Sequence, residues 1–256
     1  MTAQQLLTCV TWNVHRGYGG DGRKDPARIV DVLCQEVWSK GTDILVLQEA
    51  DADEPPHPGV ADPEQVEART GLRYLHRDVS HRLTGQSHGF LGLVTYAAPH
   101  IMVEGMGLID LPGICARGAV VVDLVVADVP LRLVATHLSL GQALRIAQTR
   151  TISQYLARRD PRQVILCGDL NEWRPWGGFA LSPRVLGQRY SGPARASFPV
   201  GRPLFPLDRI LTTAPGQVHD AEVLDGPGIR AASDHRPLRA RVSFGPATSE
   251  RTRRPS

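Results

Sequence analysis

Residues 163–171 read QVILCGDLN. Five apolar or small residues in succession are followed by Asp169 and Asn171, so an aliphatic run ends on a carboxylate and an amide. Runs of this length with nearly continuous apolarity are typical of strands that are covered on both faces. The stretch therefore predicts an interior strand whose end carries polar side chains.

Seven further runs are rich in aliphatic and β-branched residues and predict strands. They lie at 6–12, 43–49, 89–96, 118–126, 131–138, 208–213 and 238–244. Between two of them, Asp128–Pro130 predicts the turn of a hairpin.

Helical patterns fall between the strand runs. Residues 25–38 begin with Asp25 as N-cap and Pro26 at the first helical position, and 62–70 opens with the same Asp-Pro pair. A third helix is predicted at 141–159, with its arginines outside an apolar stripe of Leu144, Ala147, Ile152, Tyr155 and Leu156. Interleaved helices and strands, with a middle region of strands alone, favour an α/β fold of two packed sheets flanked by helices. One domain is expected at 5–244.

The composition is that of a soluble globular protein. Of 256 residues, 42% are hydrophobic and 21% charged, and the net charge is +3. The last twelve residues, 245–256, hold three arginines and one glutamate, and predict a disordered basic tail. Proteins that bind nucleic acid chiefly through phosphates usually carry a strong basic patch. A nucleic-acid partner is therefore possible but not favoured.

The four cysteines are widely spaced, and no CxxC pair indicates a zinc site. We expect reduced, buried thiols, which fit a reducing compartment. The N-terminus lacks the charged and apolar regions of a signal peptide, and no apolar run is long enough to span a bilayer. A cytoplasmic protein without a transmembrane segment, and a monomer, are the expectations.

Polar side chains recur at the ends of the predicted strands or in the loops beside them. They are Asn13, Glu49, His137, Asp169, Asn171, Asp208, Asp234 and His235. Singly, each has an ordinary explanation: Glu49 as a solvated strand end, Asp169 as a turn former, His137 as a core histidine. Together they predict a hydrolytic phosphate site with a hard divalent cation, Mg²⁺ or Mn²⁺.

Phosphoester hydrolysis needs a metal to neutralise phosphate oxygens, a base to activate water, and donors for the developing charge. Glu49 is the best metal ligand, with Asn13 adjacent. Asp169 suits orientation or deprotonation of the water. The residues leave open whether Asp169 or His235 is the general base, and whether one metal or two are bound.

The remaining polar groups suit phosphate. Asn171 lies two residues after Asp169 and projects to the same side of an extended segment, where its amide can donate. His137 and His235 donate to phosphate oxygens when protonated, and Asp208 suits the orientation of a histidine.

The ordered motifs TWNVH, LQE, THL, GDLN, DRI and SDH resemble those of the endonuclease/exonuclease/phosphatase superfamily, and they extend from Asn13 to His235. The resemblance implies a four-layer α/β/β/α sandwich with two mixed sheets, dependence on Mg²⁺, and hydrolysis of a phosphoester by activated water. It also implies that Asn13, Glu49 and Asp234 bind the metal.

In the catalytic group, the resemblance implies that Asp169 and Asn171 position water and phosphate and that His235 is the catalytic histidine, oriented by Asp208. His137 matches the TH strand of the deoxyribonuclease, sphingomyelinase and inositol-polyphosphate phosphatase branches, from which the apurinic-site endonucleases differ.

The sequence specifies the substrate less closely than the reaction. His15 stands where many repair nucleases have aspartate, and its glycine-rich surroundings resemble small bacterial members of the superfamily. Arg117 either clamps phosphate or is a surface arginine. Trp173 and Trp176 follow GDLN, and either stack on substrate or pack their loop onto the body.

We expect a phosphodiesterase or phosphatase for a small-molecule or lipid-derived phosphoester, with His15 and Arg117 binding substrate. A nuclease for DNA or RNA and an inactive binding protein are the alternatives.

Overall fold

A computed structural model describes residues 5–245, and these form twelve strands and five α-helices. Except for Gly245, the predicted basic tail lies outside the described residues. The strands are β1 (Gln5–Asn13), β2 (Ile44–Gln48), β3 (Arg73–Tyr74), β4 (Val94–Ala97), β5 (Met102–Asp110), β6 (Gly118–Val126), β7 (Val129–His137), β8 (Gln163–Asp169), β9 (Tyr190–Ser191), β10 (Asp208–Thr213), β11 (Val218–Val223) and β12 (Leu238–Phe244). The helices are α1 (Pro26–Val32), α2 (Pro63–Thr70), α3 (Gln142–Leu156), α4 (Pro183–Leu186) and α5 (Pro227–Ala232).

Two mixed sheets of six strands each organise the chain. The first has the order β11-β12-β1-β2-β4-β3 and the second β5-β6-β7-β8-β10-β9. The central pairs β1–β2 and β7–β8 are parallel, and the neighbouring pairs are antiparallel. In each sheet, two parallel strands therefore end side by side.

The sheets pack face to face, with helices on their outer faces. Alternation along β6 demonstrates this arrangement: Val120 and Val122 join the core between the sheets, whereas Val121 packs in a second core with Ile152 of α3. On the opposite side, Ile29 of α1 belongs to the core of the first sheet. The predicted α/β/β/α sandwich is confirmed.

The two helices predicted from Asp-Pro pairs are present. The Asp25 carboxylate accepts a hydrogen bond from the Arg28 amide at 3.1 Å, and that of Asp62 accepts one from the Glu64 amide at 3.0 Å. A π-helical turn, Leu33–Val37, extends α1. No helix within residues 5–245 has the length and apolar character needed to cross a membrane.

The predicted burial of α3 is wrong in its first half. Arg145, Gln148 and Thr149 are buried, whereas Ala147 is exposed. Gln148 explains the inversion, because it accepts from the Ser139 amide at 2.9 Å and donates to a loop carbonyl at 2.9 Å. This half of α3 therefore binds loop backbone rather than filling an apolar core.

The strand predictions also need correction. The hairpin turn is Ala127–Asp128, with φ of 45° and 65°, and Pro130 lies within β7 opposite Val125. Two residues with positive φ suit a tight hairpin because they match the strand twist. Of the predicted 89–96 strand only residues 94–96 form a strand, β4, which ends one residue later at Ala97. Four strands are additional to those predicted: β3, β5, β9 and β11.

The cysteines are all free thiols, but they are not all buried. Cys9 and Cys167 are buried as expected, Cys34 is half-buried and Cys115 is exposed. Cys115 lies in the connection between β5 and β6, outside the apolar runs.

Candidate active site

The ends of the central strands bring the polar side chains to one edge of the sandwich. Asn13 is the last residue of β1 and pairs with the end of β2, immediately before Glu49. In the second sheet, His137 ends β7 beside Asp169, and Asp208 begins β10 opposite Asp169. Because these pairs are fixed by strand register, the sheets themselves position the group.

Asp169 lies at the centre of the group and is buried. Its Oδ2 accepts a hydrogen bond from Asn13 Nδ2 at 3.1 Å and lies 3.4 Å from His137 Nε2 and 3.7 Å from His235 Nε2. Its Oδ1 accepts a hydrogen bond from the backbone N–H of Asn171 at 2.9 Å. Side chains from both sheets therefore converge on one carboxylate.

The sequence immediately before Asp169 permits this convergence. Gly168 has a φ of +139°, and a Cβ there would lie 1.9 Å from the Thr136 carbonyl oxygen. Only glycine combines this conformation with so close an approach to β7. The glycine of GDLN thus lets β8 place Asp169 beside His137.

His235 forms a buried ion pair with Asp208. Its Nδ1 donates to Asp208 Oδ2 at 2.8 Å, and the same oxygen accepts from Ser197 Oγ at 2.5 Å. Burial alone would lower the pKa of His235, but the Asp208 carboxylate outweighs it and raises that pKa to about 10. Near neutral pH the ring is an imidazolium whose Nε2 lies 3.7 Å from Asp169 Oδ2.

The protonation state of His137 is the opposite of that of His235. Burial lowers the pKa of His137 to about 3, so the ring is neutral near neutral pH. Its Nε2 lies 3.3 Å from Asn171 Nδ2 and 3.4 Å from Asp169 Oδ2. A neutral ring nitrogen either accepts from the amide or donates to the carboxylate. The two histidines are therefore not equivalent donors.

Glu49 follows β2 with a φ of 54°. Its Oε2 lies 2.5 Å from Arg16 Nη1, and its Oε1 lies 3.9 Å from His137 Nδ1. Burial raises the pKa of Glu49, and the cations Arg16 and Arg117 oppose that shift. The carboxylate is thus mostly enclosed and compensated by arginine.

The oxygen-rich donor set fits a hard divalent cation. Within the described part of the chain, ligand atoms of Asp169, Asp208 and His235 lie within 4.8 Å of one another. The protonated His235 is a poor ligand, which leaves carboxylate and amide oxygens as donors. Asp208 Oδ1 and Asp234 Oδ1 are buried and have no hydrogen-bond partner among residues 5–245, and a cation would satisfy such atoms.

A family model described as "Endonuclease/Exonuclease/phosphatase family" matches residues 10–235. The chain belongs to this family. It is accordingly a phosphoric ester hydrolase, of a family that generally depends on divalent metal. No protein with a curated description matches the chain.

Solved structures agree with the fold of this family member. An endonuclease/exonuclease/phosphatase from Beutenbergia cavernae is 21% identical, with 94% of this chain and 72% of that one covered and a TM-score of 0.64. A protein of the same description from Bacteroides vulgatus is 15% identical over 94% and 100% of the two chains, with a TM-score of 0.70. A mannosyl-6-phosphatase from Bacteroides thetaiotaomicron is 14% identical over 93% and 100%, with a TM-score of 0.68.

The residues predicted to bind substrate or complete the metal site lie around this centre. The His15 amide donates to Asn13 Oδ1 at 3.0 Å, and His15 Nδ1 lies 3.1 Å from the Tyr18 carbonyl and 3.8 Å from Asp234 Oδ1. Arg117 lines a cavity of about 50 Å³ together with Glu49, His137 and residues of the neighbouring loops.

Arg16 was not predicted to have a role of its own in the endonuclease/exonuclease/phosphatase site. Its guanidinium contacts Glu49 and, through Nε, Asp53 Oδ1 at 2.7 Å. The sequence signal was its position directly after His15, within the glycine-rich loop.

Two buried side chains join the first and last motifs and were also missed. Ser233 Oγ donates to the Asn13 carbonyl at 2.7 Å and accepts from the His235 amide at 3.1 Å. Trp12 Nε1 donates to the His235 carbonyl at 3.2 Å. The Trp in TWN and the Ser in SDH thus connect the first and the last motif at the site.

Proposed function

We propose that this chain is a Mg²⁺-dependent phosphodiesterase or phosphatase that acts on a small-molecule or lipid-derived phosphoester. The observation that carries the proposal is the surroundings of Asp169, whose Oδ2 faces an amide, a neutral imidazole and an imidazolium. These neighbours fix the orientation of the carboxylate, so that it can orient an attacking water and take its proton beside a bound phosphate.

In this proposal, Asn13, Glu49 and Asp234 hold the metal through oxygen atoms. Bound Mg²⁺ would supply neutralisation of a non-bridging phosphate oxygen. Arg16 contacts the Glu49 carboxylate and opposes the rise in the pKa of Glu49 that burial causes.

Asp169 is the proposed general base. The alternative base, His235, is disfavoured because its Nδ1 is paired with Asp208 and its Nε2 carries a proton near neutral pH. His235 instead donates to a phosphate oxygen as negative charge develops. A proton taken by Asp169 lies within reach of the neutral His137 ring, 3.4 Å away.

Asn171 and Arg117 complete the proposed phosphate contacts. The Asn171 side chain is fixed by donation to the Leu138 carbonyl at 2.8 Å. Arg117 is next to the cavity that contains Glu49 and His137, where its fork can reach a phosphate oxygen. His15, half-exposed beside Asp234, is placed to contact the substrate outside the phosphate.

A nuclease is the second candidate function. It is favoured by one observation, the 49% and 76% exposure of Trp173 and Trp176 just after Asn171, because exposed indoles can stack on bases.

A substrate panel tests both candidates. Bis-p-nitrophenyl phosphate, p-nitrophenyl phosphate, a phospholipid and supercoiled plasmid are incubated with Mg²⁺, with EDTA, and with Asp169→Asn protein. We expect EDTA-sensitive hydrolysis of a small or lipid phosphoester. Plasmid nicking that outpaces every other reaction supports the nuclease. An absence of hydrolysis from all four substrates argues for a binding protein.

A further inference from the structure

Four chain segments leave the second sheet at the edge that carries Asp169. The register fixes this, because Ala119 pairs with Thr136, His137 lies beside Asp169, and Asp208 lies opposite Asp169. The segments that adjoin these strand ends are 111–117, 138–141, 170–182 and 197–207. We refer to these four segments together as the rim.

The rim is unusually apolar at its surface. Within the described residues, twelve large hydrophobic side chains are exposed, and seven of them belong to the rim. The most exposed are Ile114 at 98%, Leu140 at 79%, Trp176 at 76% and Leu204 at 60%. Single exposed hydrophobic residues are ordinary, but a set gathered around one site marks an interaction surface.

The charged side chains of the rim are mostly positive, with Arg202 exposed and Arg117 and Arg174 half-buried. The rim contains these three arginines and a single acid, Glu172. Glu172 is fully buried and paired with Arg145 at 3.4 Å and with Arg174 at 2.9 Å. At the rim, a partner therefore meets apolar side chains, the exposed Arg202 and two half-buried arginines, and no exposed carboxylate of the rim itself.

Two arginine side chains hold the segment that carries Trp173 and Trp176 in place. Arg209, only 2% exposed, donates to the Glu172 and Arg174 carbonyls at 3.2 and 2.9 Å. The Arg174 guanidinium lies over the Trp173 ring at 4.6 Å. Because Arg209 fixes the backbone of this segment, the exposed position of Trp176 is a feature of the fold rather than of a loosely held loop.

We propose that the rim docks on an anionic lipid surface and thereby presents the site to phosphoesters at that surface. The proposal rests on the proposed function and narrows its substrate class to lipid phosphoesters. Indole rings suit the boundary between headgroups and acyl chains, and each arginine near an anionic leaflet adds about 1 kcal/mol of attraction.

The aliphatic members of the rim favour lipid over nucleic acid. Bases stack on aromatic rings and arginine planes. Ile114, Leu140 and Leu204 offer no such surface, and they are among the most exposed side chains of the rim. Burial in acyl chains is what stabilises aliphatic side chains of this size.

The test is co-sedimentation with vesicles of phosphatidylcholine alone or mixed equally with phosphatidylglycerol. The rim variant is Ile114→Ser/Leu140→Ser. The matched control is Leu6→Ser/Met102→Ser, since these exposed residues begin β1 and β5, at the far ends of the strands. We expect wild type and control to bind the mixed vesicles, and the rim variant to bind at least about tenfold more weakly.

Three results overturn the docking proposal: no binding of wild type to mixed vesicles, equal loss of binding in both variants, or displacement of the vesicles by a single-stranded oligonucleotide. Hydrolysis of soluble bis-p-nitrophenyl phosphate is measured in parallel. Hydrolysis without vesicle binding rejects the docking and retains the proposed function. Vesicle binding without hydrolysis of any phosphoester retains the docking and rejects the function.

Discussion

The Nδ1 atom of His235 donates to the Oδ2 atom of Asp208 across 2.8 Å, with both side chains buried. This pair determines which groups near Asp169 carry a proton. We predict that the pKa of His235, followed by NMR of the imidazole, lies far above 6.5 and close to 10. In Asp208→Asn, burial persists without the carboxylate that contributes most to the high value, so the pKa should fall well below that of wild type, although Asp169 and Asp234 still raise it. Asp220→Asn, at the surface, serves as the control and should leave it unchanged.

The same pair predicts a pH dependence of stability. Folding raises the pKa of His235 from 6.5 to about 10, so its stabilisation is complete below pH 6.5 and is lost as pH rises towards 10. The free energy of unfolding, measured with urea across this range, should fall more steeply for wild type than for Asp208→Asn. Parallel slopes for the two proteins would contradict the ion pair.

Replacement of the proposed base should remove turnover and leave the fold intact. Asp169→Asn preserves the size of the side chain but cannot accept a proton from water. We expect kcat on the best substrate of the panel to fall by about 10²- to 10⁴-fold. Circular dichroism should show the same sheet content as wild type. Turnover within a few-fold of wild type would place the base elsewhere.

Arg16 and Glu49 should have opposite effects on metal binding. The arginine contacts a predicted ligand oxygen at 2.5 Å and adds positive charge beside it. Titration calorimetry with Mg²⁺ should therefore give weaker binding for Glu49→Gln and tighter binding for Arg16→Gln than for wild type. If both variants weaken binding, Arg16 supports the site rather than competing with the cation.

The sequence predicted the central strands and the edge on which the site lies. Asn13, His137 and Asp169 end aliphatic runs, and such runs become interior strands because both of their faces are buried. The marginal strands could not be predicted in this way. β5 contains Gly105 and Gly107, which interrupt its apolar pattern, and only one of its residues is buried. It therefore lacks the apolar run by which the central strands were recognised.

The sequence also did not predict which polar side chains are buried. Helical periodicity assigns arginine to solvent, so Arg145 appeared to lie on the outer face of α3. Its carbonyl acceptors and its partner Glu172 come from loops more than one turn away, and no local pattern encodes them. Likewise, the choice between Asp169 and His235 as base depends on Asp208, which lies 27 residues before His235 in the chain.

We predict that replacement of the buried Glu172 strongly lowers the free energy of unfolding. Glu172→Gln leaves Arg145, which is 1% exposed, without a compensating charge. Removal of one partner of a buried pair costs about 3–5 kcal/mol. Glu222→Gln, which breaks an exposed pair with Arg239, should change the free energy of unfolding by about 1 kcal/mol or less. Urea unfolding of both variants measures the contrast, and equal values would refute it.

Gly168 should be the least replaceable glycine of the site. An alanine there meets two obstacles, a φ of +139° and a Cβ only 1.9 Å from the Thr136 oxygen. Gly41 distinguishes these two obstacles: its φ is +108°, but no atom of the described residues lies within 4 Å of an added Cβ. Strain alone costs about 1–3 kcal/mol, so Gly41→Ala should fall in that range.

Gly168→Ala must in addition push β8 away from β7, which separates Asp169 from His137. We therefore expect a larger loss of unfolding free energy than in Gly41→Ala. We also expect a loss of turnover that remains when the assay temperature is low enough for the variant to stay folded. Gly41→Ala should keep its turnover under the same conditions. If both variants lose stability equally and both keep their turnover, the close approach of the two strands is not what places Asp169.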